Sequence, residues 1–280
     1  LFCLVALSAW ALFPLYWALA LSIKRPLDFF NGTLIPFLSF PPTLDSWHDE
    51  IVYFVDEYGK LSLGRGLFNS ALIGLGSAAL ALLLGTPAGY GLARLALPRR
   101  LRRAAVLAFL LPRFVLPVAT AIPLYLLFRA LHLLDTHLGL ILVNSDLVLP
   151  FVVLLVRDAV AALPDELLEA AYLDGCSAAS ALWQVALPLL APTLLAAGVL
   201  AFALTWNEFF LGYVLAAQNA QTMPMVVASL DTKDGIMLEY TGSHLVLAVL
   251  PPVVLLLTIQ RVLARTLSFG SVRGGTGSGT

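Results

Sequence analysis

The chain has 280 residues, 60% of them apolar and 12% charged, with a mean hydropathy of +0.92 and a formal net charge of −1. That balance lies far from that of water-soluble domains and marks a membrane protein. The near-zero charge gives no reason to expect a nucleic-acid partner.

Apolar runs of about the 20 residues needed to cross a bilayer fall at about 2–23, 68–92, 104–128, 138–162, 192–216 and 243–264. They are continuous and lack the ten-residue alternation of a lipid-facing barrel. The expected fold class is therefore all-α, a polytopic membrane protein with six transmembrane helices. The first span, 1–23, is too long for a signal-peptide core and has no persuasive cleavage site, so it reads as retained. Because Leu1 is not a methionine, a short basic tail is expected ahead of it. Residues 24–67 then form an external loop, 68–264 a core of the remaining spans, and 265–280 a cytoplasmic C-terminal tail. In the third run Pro112, Pro117 and Pro123 predict a kinked or locally unwound helix. Arg113 there either lines a pathway or snorkels or pairs with Asp146 or Glu208. In the fourth run Asn144, Ser145 and Asp146 suit pathway polar groups and helix-packing glue equally. Asn207 and Glu208 in the fifth lie about 15 residues beyond Pro192, roughly 23 Å along a helix, toward the far half of the membrane.

Orientation follows from basic residues, which stay on the cytoplasmic side. Arg94, Arg99, Arg100, Arg102 and Arg103 crowd the link between the second and third spans, and Arg261, Arg265 and Arg273 follow the sixth. Both clusters are inside by parity and outweigh Lys24 and Arg25. The 217–242 loop is then outside and the 163–191 connection inside, although the latter carries Asp165, Glu166, Glu169 and Asp174 and no Lys or Arg. Its reading EAAYLDGCSAASALWQVALP, 169–188, has helix punctuation. Leu163-Pro164-Asp165 is a start signal, with Pro in the first turn or Asp as cap. Gly175 suits a left-handed stop. Ser177 can cap a second short helix, which Pro188 closes before Pro192 opens the fifth span. Small Ala170 and Ala171 allow close approach by another protein, and Glu169 and Asp174 offer charges to basic groups. An amphipathic loop resting on headgroups would instead carry Lys and Arg.

The order Glu169-Ala170-Ala171, Gly175, Val185, Leu187-Pro188, between the fourth and fifth of six spans, resembles the EAA loop of permease subunits of binding-protein-dependent ABC importers. Trp206-Asn207-Glu208-Phe209, Pro42-Thr43-Leu44 and Phe68-Asn69-Ser70 resemble the carbohydrate branch, its maltose-type second permease. Gln260-Arg261 through Leu267, then Gly270, Val272, Arg273 and Gly274, resembles that branch's C-terminal arm toward the ATPase. The resemblance implies a cytoplasmic helix-turn-helix coupling loop seated in a groove of the ATP-hydrolysing subunit, with Glu169, Ala170, Ala171, Asp174 and Gly175 in that role. It also implies a second homologous permease, two ATP-binding subunits, an extracytoplasmic solute-binding protein and a bacterial or archaeal cytoplasmic membrane. Asn144, Asp146, Trp206, Asn207 and Glu208 are then candidates for the translocation pathway, with Trp206 and Phe209 suited to a sugar's apolar face. The alternative for the last group is an aromatic belt with a polar end. The 217–242 loop, with Asp231, Lys233, Asp234 and Glu239, is a candidate contact for the binding protein.

No Gly-x-x-x-x-Gly-Lys-Ser/Thr run occurs, so this chain is expected to bind no cofactor, ATP and Mg belonging to the partner. It is expected not to be an enzyme: no paired carboxylates with a base or His/Cys/Glu cluster suggests hydrolysis, and no metal site is expected. His132 and His137 read as loop residues, and Cys3 and Cys176 are separated by topology. Rival readings are an amino-acid or peptide importer permease and a self-contained secondary transporter. Transport by the purified chain without an ATPase distinguishes the latter.

Overall fold

A computed structural model describes residues 2–25, 28, 35–52, 63–115, 117–229, 231–232, 235–236 and 238–271. Helices dominate. In chain order they are α1 (Phe2–Ser22), α2 (Asp45–Val52), α3 (Leu63–Arg94), α4 (Arg99–Leu110), α5 (Pro117–Ala130), α6 (His137–Ala161), α7 (Asp165–Leu173), α8 (Ala178–Ala181), α9 (Leu187–Trp206), α10 (Phe210–Leu215), α11 (Met223–Ala228) and α12 (Leu238–Ser271). Two-residue strands, β1 (Asp231–Thr232) and β2 (Gly235–Ile236), pair antiparallel in the loop before α12.

Among the described residues five helical stretches are long and apolar enough to cross a membrane: Cys3–Ser22, Leu63–Arg94, His137–Ala161, Ala178–Trp206 and Tyr240–Leu257. The third predicted span is broken. α4 ends at Leu110, a 3-10 turn covers Leu111–Phe114, and α5 has 14 residues, about 21 Å of helix against a hydrocarbon layer of about 30 Å. Pro112 and Pro117 each withhold an N–H there, which is the cause of the break. No residue of α4 is buried, and Arg99, Arg100 and Arg103 are exposed along it.

Four further boundaries depart from expectation. Pro188 does not close a helix: the chain stays helical from α8 into α9 through a π segment, Leu182–Ala186, in which the Leu187 N–H reaches back five residues to the Leu182 carbonyl. The wider turn takes up the bond that Pro188 cannot donate. The predicted fifth span instead stops at Trp206, and α10 begins after a break at residues 207–209. α12 begins before the predicted 243 and carries Gly270 inside its last turns rather than in a tail. Finally, α3 starts inside the predicted external loop, which also contains α2.

The core forms where α3 lies along α6, with α9 against both. Small residues on α3 permit this contact. A Cβ at Gly89 would stand 2.7 Å from the Val153 carbonyl oxygen, and one at Gly85 2.8 Å from a Val152 methyl. Val148, Val152, Val156 and Val160 are fully buried on the facing stripe of α6. α1 packs on α12, and its first turns expose Leu4, Leu7 and Trp10, as a lipid-facing helix does. At its end Lys24 is buried against the Trp17 and Phe40 rings, 5.4 and 5.0 Å from their centroids.

Candidate coupling site and translocation cavity

α6 ends at Ala161, and Pro164 occupies the cap position of α7 without a side-chain hydrogen bond. Asp165 therefore does not cap: it pairs with Arg94, at the end of α3. The same guanidinium donates to the carbonyls of Val160 (2.9 Å) and Leu163 (2.7 Å), so it closes the last turn of α6 and holds the entry to α7. The Tyr90 and Tyr172 hydroxyls, 3.1 Å apart, add a second tie between α3 and α7.

α7 stops as its residues dictate. Gly175 has φ +86°, its N–H donates to the Tyr172 carbonyl, and the Cys176 N–H donates to the Ala171 carbonyl. This is the paired hydrogen-bond pattern of a Schellman stop. The Ser177 hydroxyl then accepts the Ser180 N–H at 3.2 Å and starts α8. The result is a bent helical unit at the Arg94 end of α3. Leu168, Ala171, Ala181, Leu182 and Ala186 bury one face of it against the bundle.

Glu166, Glu169, Ala170, Leu173 and Asp174 are exposed on the other face of α7, as is Gly175 in the bend. Ala171 is not on that face: it is 7% exposed and turned inward, because residues 168 and 171 share the buried stripe of the helix. Close approach therefore falls to Ala170 and to Gly175, around whose missing Cβ there is open space. Leu173, 89% exposed, is a further residue of this face, and the signal for it in the sequence is its i+4 spacing from Glu169. Val185 and Leu187 are half-buried at the bend into α9, and Pro188 is exposed.

At the other end of α3, roughly 37 Å from Arg94 along the helix, a polar latch ties down residues 215–223. Asn69 Nδ2 donates to the carbonyls of Asn219 (2.9 Å) and Gln221 (2.8 Å), and its Oδ1 meets His137 Nε2 at 2.7 Å. The Ser70 hydroxyl accepts the Met223 N–H. The Asp135 carboxylate accepts the N–H groups of Ala217, Gln218, Asn219 and Ala220. Burial alone would raise the Asp135 pKa, but these backbone donors outweigh it and hold the carboxyl below its usual range.

The five pathway candidates do not come together as a group. Trp206 is 3% exposed and sits in the core, its ring beside Phe202 and its Nε1 donating to the Ala248 carbonyl at 2.9 Å. A sugar cannot reach that ring. Glu208 caps α10, accepting the N–H groups of Leu211 (2.7 Å) and Gly212 (3.1 Å). The exposed Asn207 amide donates to the Ala203 carbonyl of its own helix. Buried Asn144 donates to Leu140, and Ser145 joins Ile141 and Ser77, so these two serve packing. Of the five, Asp146 lines a space of about 730 Å³ between α4, α5 and α6, walled also by Thr120, Pro123 and Pro150. The side chains of Arg113, Asp231 and Glu239, and residues Lys233, Asp234, Val272, Arg273 and Gly274, lie outside the described residues.

The pattern of the family described as "Binding-protein-dependent transport system inner membrane component" matches residues 66–269. The sulfoquinovosyl glycerol transport system permease protein SmoH of Agrobacterium fabrum is 32% identical over 267 residues, 94% of this chain and 89% of that protein. The trehalose transport system permease protein SugB of Mycobacterium tuberculosis is 32% identical over 271 residues, covering 95% and 93%. The melibiose/raffinose/stachyose import permease protein MelC of Bacillus subtilis is 30% identical over 275 residues, covering 97% and 95%. Among solved structures, a bacterial ABC transporter involved in the import of the acidic polysaccharide alginate shares the fold, with a TM-score of 0.75 at 20% identity over 92% of this chain and 93% of that one.

Proposed function

The chain belongs to the family of binding-protein-dependent transport system inner membrane components, and from that premise we propose that it is the sugar-importing permease whose bent 165–188 unit receives the motion of a partner ATPase. As a member of that family it is a transport subunit of an ABC importer, and ATP hydrolysis belongs to a separate polypeptide. The relatives named for sulfoquinovosyl glycerol, trehalose and melibiose support a sugar or similar polyhydroxylated solute over amino acids or peptides.

The observation that carries the coupling role is the exposed face of α7, where Glu166, Glu169 and Asp174 surround Leu173 and Ala170. An apolar knob amid carboxylates suits a partner groove with an apolar floor and a basic rim. The unit is pinned to α3 by Arg94 and Tyr90, so a push on α7 passes directly to the helix that contacts α6 along its length. ATP-driven closure of two ATPase subunits would move the unit and switch the pathway between its two openings. Ligand-driven switching requires such differential contact in the two states.

A cytoplasmic position for the unit is supported by its neighbours: Arg99, Arg100 and Arg103 lie just beyond Arg94, at the same end of the bundle. Six crossings are then reached by counting the broken α4–α5 segment as the third, completed against the second permease. Contact with the ATPase at the chain's C-terminal end is assigned to Gly270, Val272, Arg273 and Gly274, and an external binding protein meets the latched 217–222 side. Nucleotide and Mg are held by the partner, not by this chain. A Leu173→Cys variant should crosslink to a co-expressed ATPase subunit, and faster crosslinking with ATP present would mark the closed state. Capture of no ATPase by Leu173→Cys and Glu169→Cys alike, in membranes that still import sugar, would remove the coupling assignment.

A further inference from the structure

Five arginines stand within residues 94–103, and the chain uses them differently. Arg94 is occupied by Asp165 and by the Val160 and Leu163 carbonyls. Arg102 donates from Nη2 to the Leu95 carbonyl at 3.2 Å and folds the 95–98 link onto the first turn of α4. Arg99, Arg100 and Arg103 are exposed on α4, a helix of which no residue is buried. Helical spacing puts Arg103 one turn from both Arg99 and Arg100, so three like charges share one face. They also stand at the positive end of the helix dipole, with no acidic residue in the first turn. Both placements work against α4 on its own. Retention of basic residues on the cytoplasmic side accounts for their side of the membrane, but not for this clustering on one exposed face. The same face continues one turn on to Leu107, which is exposed, and residues 104–110 carry no charge. Arg103 and Leu107 are about 6 Å apart along the axis, roughly the thickness of one headgroup layer, so the face passes from guanidinium to hydrocarbon where a leaflet does.

We propose that this face of α4 binds anionic phospholipid, with Arg99, Arg100 and Arg103 on the phosphate groups and Leu107 along the acyl chains. A guanidinium fork matches two oxygens of a phosphate diester, and an anion among the three arginines removes their mutual repulsion. Basic side chains at a membrane surface favour anionic lipid over zwitterionic lipid. An acidic protein surface would satisfy the arginines and leave Leu107 against polar groups, and free phosphate has no apolar part at all. A phospholipid meets both halves of the face in the order in which the helix presents them. The bound lipid fixes the depth at which α4 enters the bilayer, and with it the start of the proline-broken segment that walls the Asp146 cavity. The inference goes beyond the sugar-permease reading and needs only that α3 and α4 lie in a membrane.

The test uses the full chain in its importer complex, with cysteine-free partner subunits, Cys3→Ser and Cys176→Ser as background, and a bimane label on Ala104→Cys, an exposed position between Arg100 and Leu107. The complex is reconstituted in phosphatidylcholine vesicles that carry brominated phosphatidylglycerol or brominated phosphatidylcholine as quencher. Half-quenching should need about fivefold less of the brominated phosphatidylglycerol, the preference that one arginine near the surface supplies. Gln at positions 99, 100 and 103 together should erase the preference, and Lys at the same three should keep it. Raising KCl should shrink it, a second readout should the Gln variant fail to assemble. Inorganic phosphate at matched ionic strength should leave it unchanged. Equal quenching by the two lipids, a preference that survives both the Gln variant and high KCl, or one abolished by inorganic phosphate would each overturn the inference. So would a label that neither lipid reaches until the ATPase or the second permease is stripped away, which would assign the face to protein. ATP-dependent sugar uptake is read separately in the same vesicles. Its absence beside an intact lipid preference counts against the permease reading, and its persistence beside a lost preference counts against the lipid site alone.

Discussion

Gly175 and Glu169 act on the coupling unit in different ways. The first sets its shape and the second its charge. Proline fixes φ near −65° and cannot adopt the +86° that Gly175 holds, so Gly175→Pro should disorder the bend. Alanine at the same place meets no atom and costs about 1–2 kcal/mol of backbone strain. Glu169→Lys should leave the fold intact, because its side chain is exposed, and reverse one charge at the docking face. Both Gly175→Pro and Glu169→Lys should insert normally and lose the link between ATP turnover and uptake, and normal solute-stimulated ATPase activity with normal uptake in both would refute this role. Asp135 makes a separate prediction. Its folded pKa is depressed, so its contribution is fully present above the unfolded value of about 3.9 and is lost as pH falls through the folded one. Asp135→Asn should cost about 1 kcal/mol, a figure kept small because solvent reaches the carboxylate. The Tm gap between wild type and variant should hold from pH 7 to about 5 and narrow below about 4; a gap independent of pH would refute the charge-based account.

Among the elements, those whose punctuation is local were legible and those decided by neighbours were not. The stop at Gly175 and the cap at Ser177 follow from one residue's permitted φ and one hydroxyl. The break before α5 follows from proline spacing. Pro188 misled because a π segment can absorb a missing N–H, and nothing in the one-dimensional pattern distinguishes absorption from termination. Trp206 and Glu208 misled differently: an aromatic beside a carboxylate reads as a sugar site, yet each finds a backbone partner inside the protein, the Ala248 carbonyl and the start of α10. Arg94 was counted as a charge on one side of the membrane, while its partners at 160–165 are about 70 residues away and invisible to local reading. The α3–α6 seam supplies an element-scale prediction. Gly89→Val would drive a branched side chain into the Val153 carbonyl and Val156, costing about 1–3 kcal/mol as overpacking does. Gly91→Val, on the same helix but facing only the flexible Leu95 side chain, should cost far less. Equal loss of thermal stability in the two purified variants would show that the seam does not depend on Gly89.

For the whole molecule, the two ends of α3 organise the chain into a force-receiving end and a latched end. Arg94 gathers the α6–α7 corner at one, and Asn69 with Ser70 gathers residues 219–223 at the other, with the Asp146 cavity between them. A rigid seam between α3 and α6 connects these ends, so displacement of α7 should alter the walls of the cavity, which α6 shares with the thin, proline-broken α4–α5 segment. That segment has few buried residues and is the compliant side of the cavity. Sidedness is the premise of this arrangement and can be tested directly. In a chain with Cys3→Ser and Cys176→Ser, a cysteine at exposed Leu173 should react with a membrane-impermeant thiol reagent only in inside-out vesicles. One at exposed Gln218, beside the Asp135 latch, should react only in right-side-out vesicles or intact spheroplasts. Reaction of both from one side would mean an even number of crossings between them, and reaction with the two sides exchanged would mean an inverted chain; either would break the path by which motion at α7 reaches the solute.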